Sequence, residues 1–177
     1  MIKTILRYTT ALGLMFFVGM WSSGLTWAGK QDVRIISMND GEMILELTLP
    51  QFEMETVQGP DDTYQKILLH GWAKTSRVGY PELPLNAMLL QVPEEGAIEV
   101  QVLEGVHETI QDCQIYPVPR LGLSDRGEPT TEFVKDADAY NASEFFPKGL
   151  ATIGSRSVLR GTPAARLDIY PFQWNAM

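Results

Sequence analysis

The chain contains a single cysteine, two histidines and, after its first thirty residues, no long apolar run. Each scarcity closes off a class of function. Cys113 has no partner in the chain, so an internal disulfide is excluded. His70 and His107 lie far apart, and no acidic loop has calcium-binding spacing, so no metal site is expected. No glycine-rich phosphate loop and no G-x-S-x-G turn occurs. Cys113 follows His107 by six residues, but a nucleophile needs an activated thiolate, an orienting group for the base and oxyanion donors. The neighbouring Glu108 and Asp112 would instead raise the thiol pKa. The pairs Glu94-Glu95 and Asp61-Asp62 fall in turn-forming stretches, where solvated charge is the ordinary explanation. No catalytic residue, no metal and no cofactor is therefore expected, and Cys113 reads as a small buried hydrophobe. Asn141-Ala142-Ser143 fits the glycosylation triplet, a pattern that also arises often by chance.

Positive charge is also in short supply. The sequence has 14 Lys and Arg against 22 Asp and Glu, for a formal net charge of −8. An acidic surface repels phosphate backbones and anionic lipid, which argues against nucleic acid and membrane-surface partners and suits a basic protein partner. Solubility alone accounts for the charge equally well. At the front, Lys3 and Arg7 precede the apolar run from Ala11 to Met20, and small residues follow as far as Trp27-Ala28. This is the pattern of an export signal cleaved after Ala28. The uninterrupted run is short of the roughly 20 residues that a membrane anchor needs. The expected organisation is a signal peptide over 1–28 and one domain over 29–177, which is secreted, periplasmic or at the cell surface and has no membrane contact after cleavage. Losing Lys3 and Arg7 would take the net charge from −8 to −10.

What remains is rich in short apolar alternations and turn residues. Val33–Met38 and Met43–Leu49 flank Asn39-Asp40-Gly41, a hairpin signal, with Met43, Leu45, Leu47 and Leu49 on one face and Ile44, Glu46 and Thr48 on the other. Phe52–Val57 and Tyr64–Leu69 flank the turn cluster Gly59-Pro60-Asp61-Asp62. Gly79-Tyr80-Pro81-Glu82-Leu83-Pro84 is a rigid turn whose prolines push Tyr80 and Leu83 toward extended backbone. The run it feeds, Leu85–Val92, stops at Pro93 and reads as a buried strand. Ala97–Leu103 is a half-buried strand with Ile98, Val100 and Val102 inward, and 106–111 is placed to return beside it. Gln114–Pro119 is extended by its prolines, as an edge strand or polyproline segment. From Arg120 to Pro147 the pattern breaks down, with only Glu132-Phe133-Val134 and the segment around Tyr140 suggesting local order, and the stretch reads as a long surface connection with one helical turn near Asp136–Tyr140. Strands resume at 149–153, 157–159 and 164–170, the last with Ala165, Leu167 and Ile169 on one face. Many short strands and no amphipathic helix predict an all-β fold, an antiparallel β-sandwich. The aromatics Trp72, Tyr80, Tyr116, Tyr170 and Trp174 are candidates for a binding surface, although strand packing selects the same residue types.

Certain motifs occur in a fixed order along the chain. They are Gly79-Tyr80-Pro81-Glu82-Leu83-Pro84, Val92-Pro93, Pro117-Val118-Pro119, Phe133, Tyr140, Pro147, Arg160-Gly161 and Ile169-Tyr170-Pro171-Phe172-Gln173-Trp174-Asn175. In these the chain resembles the N-terminal propeptide of gingipain-type cysteine peptidases, whose catalytic domain is caspase-like. The first and last motifs are the distinctive ones. Ala176 departs from the resemblance, standing where the family often continues with proline. The resemblance implies a β-sandwich without catalytic residues that caps a peptidase catalytic domain, assists its folding and keeps it latent as a zymogen. That catalytic domain would lie in cis or come from a neighbouring reading frame. The implied means is an extended segment that presents a basic side chain in the substrate cleft. No position is assigned to that side chain from sequence, and Arg156, Arg160 and Arg166 are not claimed for it. Tyr80 and Glu82 are candidate partner contacts. The alternative is a free-standing secreted β-sandwich that binds carbohydrate or a surface protein. Replacing Pro81 and Pro84 together by alanine is expected to lower the unfolding midpoint more than it alters binding measured on the folded fraction. The reverse result would make the turn a ligand loop.

Overall fold

The computed structural model describes residues 2–9, 32–39, 41–105 and 107–176. In chain order the strands are β1 (Ile2–Thr9), β2 (Val33–Asn39), β3 (Glu42–Leu47), β4 (Glu53–Gln58), β5 (Thr63–Leu68), β6 (Ala73–Lys74), β7 (Pro84–Gln91) and β8 (Ala97–Gly105). They continue with β9 (Arg120–Leu123), β10 (Pro129–Glu132), β11 (Ala151–Ile153), β12 (Ser157–Leu159) and β13 (Thr162–Ile169), and the helix α1 spans Ala137–Asn141. One sheet has the order β2-β3-β1-β8 and another β11-β13-β7-β6 with β12 also on β13, while β4-β5 and β9-β10 are separate two-stranded ribbons. Neighbouring strands are antiparallel throughout, as the sequence predicts.

The two larger sheets meet through the faces expected from alternation. Met43, Leu45 and Leu47 of β3 pack with Leu167 and Ile169 of β13, with Trp72, Met88, Leu90, Val100 and Val102 around them. The opposite face of β3 is less exposed than alternation alone suggests. Glu46 is buried and its carboxylate is met by Arg34 on β2. A second core lies under the proline turn, where Tyr64, Ile67, Leu83, Ile115, Tyr140 and Trp174 cluster.

Several expectations need correction. Leu85–Val92 is not buried on both faces. Met88 and Leu90 face the core, while on the other side Leu85 is buried but Leu89 remains 59% exposed. Gln114–Pro119 is not an edge. Ile115, Pro117 and Val118 are buried, and the segment bridges Gln65 on one side and Pro81 on the other. Residues 107–111 are exposed and form no returning strand. The supposed irregular connection from Arg120 contains β9 and β10, while the helical turn near its end is found as α1.

The first described residues form a strand. Ile2–Thr9, read as the start of an export signal, forms β1 between β3 and β8. The register sets Lys3 opposite Glu46 and Glu104, and Arg7 opposite Glu42 and Glu99. The apolar run 11–20, the cleavage position after Ala28 and the turn residue Asp40 lie outside the described residues.

Leu167 has no exposed surface and joins the two sheets. Leu167→Ala is expected to lower the free energy of unfolding by about 2–5 kcal/mol in chemical denaturation. Val158→Ala, at a site 72% exposed, should stay within about 0.5 kcal/mol.

Candidate functional site

The proline turn is held on two sides. On one, Thr75 Oγ1 donates to Pro81 O at 2.7 Å and accepts from Leu83 N at 3.0 Å, while Thr75 N donates to Leu83 O at 2.9 Å. On the other, Gly79 N donates to Val118 O at 2.9 Å, Val118 N to Tyr80 O at 2.8 Å and Glu82 N to Tyr116 O at 2.9 Å. Proline offers no N–H, so the residues between the prolines carry the pairing. Gly79 has φ +84°, and a Cβ there would stand 3.1 Å from both Cβ and N of Asp136. Only glycine meets both conditions. Asp136 in turn caps α1 by accepting from Ala139 N at 3.0 Å. The turn thereby fixes where the chain after β10 resumes.

The ribbon β9–β10 stands on this base. Every residue from Arg120 to Glu132 is exposed except the half-buried Ser124. The ladder pairs Leu121 with Thr131 and Leu123 with Pro129, so these four share one face, while Arg120, Gly122, Thr130 and Glu132 share the other. Leu121 and Leu123 are 78% and 74% exposed. At the end, Gly127 N donates to Ser124 O at 2.8 Å and Ser124 N to Glu128 O at 2.8 Å, closing the turn Ser124-Asp125-Arg126-Gly127. Gly127 takes φ +77°, the left-handed position that ends such hairpin loops. Arg126 sits at the tip with no ion pair among the described residues. Near the stem Arg120 Nη1 and Glu132 Oε2 are 3.0 Å apart.

Just beyond the ribbon, Phe133 packs against the rings of Tyr64 and Tyr116 at 5.5 and 5.6 Å. Lys135 Nζ donates to Asp61 Oδ2 and to the Tyr64 hydroxyl, both at 2.9 Å, and the Tyr64 hydroxyl donates to Asp61 Oδ1 at 2.7 Å. The hydrogen bond from Tyr64, aided by Lys135, holds the Asp61 carboxyl below the usual carboxylate range. Burial pushes the Tyr64 phenol up, and bonds to Tyr64 and Asp61 raise Lys135. Tyr140 is buried, and its hydroxyl donates to Ile115 O at 2.6 Å. Burial raises its pKa far above the ordinary phenol value. The second strand of the ribbon is thus anchored to the β4–β5 hairpin.

Most motif residues are buried or half-buried and are not free surface. Leu83 and Trp174 lie in the second core, and Pro81 and Pro84 have almost no exposed area. Trp174 donates from Nε1 to Cys113 O at 2.7 Å, and Gln173 from Nε2 to Pro147 O at 2.7 Å. Pro171 and Asn175, on either side of these two, are half-buried. Val92 is buried, with Pro93 half-buried beside it. Arg160-Gly161 forms the two-residue turn from β12 to β13. Of the proposed contacts, Tyr80 is half-buried between Arg77 and Phe146, and Glu82 is paired with Lys74. Trp72 belongs to the first core, and Tyr80, Tyr116 and Trp174 to the second, which favours the packing explanation of the aromatics. Cys113 is half-buried and its thiol pKa is pushed up by burial, the opposite of nucleophile activation. Among the described residues no group of three His, Cys, Asp or Glu could hold a metal ion. Likewise, no helix is long and apolar enough to cross a membrane.

Comparison with known proteins bears on the same residues. A family profile described as Propeptide_C25 matches residues 24–177. Gingipain R2 of Porphyromonas gingivalis (strain ATCC 33277) is 23% identical over 175 residues, which cover 98% of this chain and 23% of that protein. Lys-gingipain of the same strain is 26% identical over 133 residues, 72% of this chain and 8% of that protein. The chain therefore spans less than a quarter of the length of these curated relatives. In fold it is similar to a chain in the solved complex of the RgpB pro- and mature domains of P. gingivalis, with TM-score 0.72 and 24% identity over 82% of this chain and 76% of that one. It is also similar to a chain in a structure that addresses zymogenic latency of P. gingivalis gingipain K, with TM-score 0.64 and 21% identity over 81% of each.

The anchor below the ribbon has a pH signature. The Asp61 pKa is lowered in the folded chain, so its contribution to stability is fully present above its unfolded value of about 3.9 and is lost as pH falls through the folded value. Urea denaturation at a series of pH values should therefore show a shallower acid-side loss of stability in Asp61→Asn than in the parent chain.

Proposed function

The chain belongs to the Propeptide_C25 family, and on that footing we propose that it caps the catalytic domain of a gingipain-type cysteine peptidase and keeps it latent. The observation that carries this reading is the β9–β10 ribbon. An exposed ribbon with two leucines on one face and an unpaired arginine at its tip contributes little to its own domain's core. Such elements are where binding residues are carried on a rigid scaffold.

In this reading Arg126 supplies the basic side chain that enters the substrate cleft, and the Leu121–Leu123 face packs against the cleft wall. The turn explains latency without cleavage. A peptidase attacks a peptide bond held extended in near-attack geometry. The bond after Arg126 instead lies inside a turn closed by the Gly127 to Ser124 hydrogen bond. Side-chain binding would then come without alignment for reaction, so the ribbon occupies the site as a poor substrate.

Assistance to folding of the catalytic domain and the lack of any catalytic activity in this domain belong to the same proposal. So does export with cleavage after Ala28, which would take β1 out of the sheet it completes. The alternative of a free-standing carbohydrate-binding module has less support, because the aromatics that would serve it are mostly packed inside.

The test is inhibition in trans of a cognate gingipain-type peptidase. The chain should inhibit at micromolar concentration or below. Arg126→Ala should weaken inhibition at least about tenfold, since loss of a buried charge contact costs about 2 kcal/mol or more. Its melting temperature should be unchanged. Full inhibition by Arg126→Ala would remove Arg126 from this role, and no inhibition by the folded parent chain would sink the latency proposal.

A further inference from the structure

We propose that a pocket on the outer face of the β6-β7-β13 sheet binds a carboxylate side chain carried on an extended acidic peptide segment of the partner chain. The pocket has a volume of about 230 Å³, with Lys74, Arg77 and Arg166 among its polar walls and Leu85, Phe146 and Pro147 as apolar surface. The contact chemistry is read from these residues alone, whereas the identity of the partner rests on the propeptide proposal above.

Three cations against the single carboxylate of Asp168 make the lining locally positive in a chain of net charge −8. Two of the cations are already engaged. Lys74 Nζ lies 3.0 Å from Glu82 Oε2, and Arg166 Nε lies 2.7 Å from Asp168 Oδ1. Arg77 is different. Its guanidinium carbon stands 3.6 Å from the Tyr80 ring centroid, and it has no ion pair among the described residues. Stacking holds the planar fork in one orientation and leaves its N–H edge free. That arrangement suits bidentate binding of a carboxylate.

Charge and shape narrow the ligand class. Asp168 in the wall and the acidic chain as a whole disfavour a polyanion such as nucleic acid. One carboxylate whose methylenes rest on Leu85 and Phe146 meets both the charge and the apolar floor. The same outer face of β7 continues to Ala87 and Leu89, both exposed. Leu89 lies four residues from Leu85, about 13 Å at the strand rise. An extended peptide with a glutamate in the pocket and an apolar residue some four positions away would cover both.

The probe is a fluorescent peptide Glu-Ser-Ala-Ser-Leu and its Gln-Ser-Ala-Ser-Leu counterpart, titrated by anisotropy against the full chain at low salt. The glutamate peptide should bind about tenfold tighter or more, and rising salt should erase the difference. Arg77→Gln should abolish the discrimination without changing the melting temperature, because Arg77 is exposed. Arg126→Ala should leave the discrimination intact. Equal binding of the two peptides by the parent chain, or undiminished discrimination in both Arg77→Gln and Arg166→Gln, would overturn the proposal. No peptidase is present in this assay, so its failure leaves the ribbon reading standing, and failure of the inhibition assay leaves this inference standing.

Discussion

The constraint on which the rest depends is the pairing of two proline-bearing segments, 79–83 and 116–118, inside the second core. Prolines remove donors from a place where water cannot replace them, so the remaining N–H groups must all find acceptors. Gly79, Glu82 and Val118 do so across the pair, and the Thr75 hydroxyl serves Pro81 O and Leu83 N from the other side. A buried threonine using both its donor and its acceptor is a high-stakes contact, because losing either half leaves a buried backbone group unsatisfied. The fixed φ of the prolines makes the arrangement cheap in entropy once it forms.

From that pairing the ribbon takes its position. Val118 lies two residues before β9, and Asp136, packed against Gly79, lies four after β10. Both ends of the protrusion are therefore tied to the same turn. The Asp61–Tyr64–Lys135 contacts and the Phe133 ring add a second attachment to the β4–β5 hairpin. A ribbon with almost no buried surface of its own would otherwise be marginal. If the ribbon enters a partner's cleft as proposed, this rigidity reduces the entropy lost on binding.

How much of this was legible in the sequence follows from burial. Where one face of a strand meets a core, alternation declares it, as at Met43, Leu45 and Leu47 or Ala165, Leu167 and Ile169. The proline motifs were legible as backbone constraint, and their place in a core fits that origin. The ribbon was not read, because neither of its faces is buried and its composition is that of a loop. Leu121 and Leu123 at period two, with Gly127 after Asp125-Arg126, were the available signal, and it is weak without a core to confirm it. The placement of β1 was hidden for another reason. Lys3 and Arg7 ahead of an apolar run have the pattern of an export signal, and a strand over Ile2–Thr9 leaves no separate mark on that pattern.

In the proposed reading, specificity and latency fall to different parts of the same domain. An arginine tip alone resembles a substrate, and any peptidase that accepts arginine could also cleave after it. What separates an inhibitor from a substrate is whether binding energy holds the reacting bond in or out of alignment. In that reading, a closed four-residue turn on a clamped ribbon would keep it out. Contacts far from the reacting bond, such as the Leu121–Leu123 face, can then add affinity without adding turnover, because they stabilise the bound complex and the transition state equally. The strongest demand that this proposal places on the fold is therefore geometric precision at the base of the ribbon. That explains why the buried Thr75 and the paired prolines, rather than the exposed tip, carry the chain's most constrained structure.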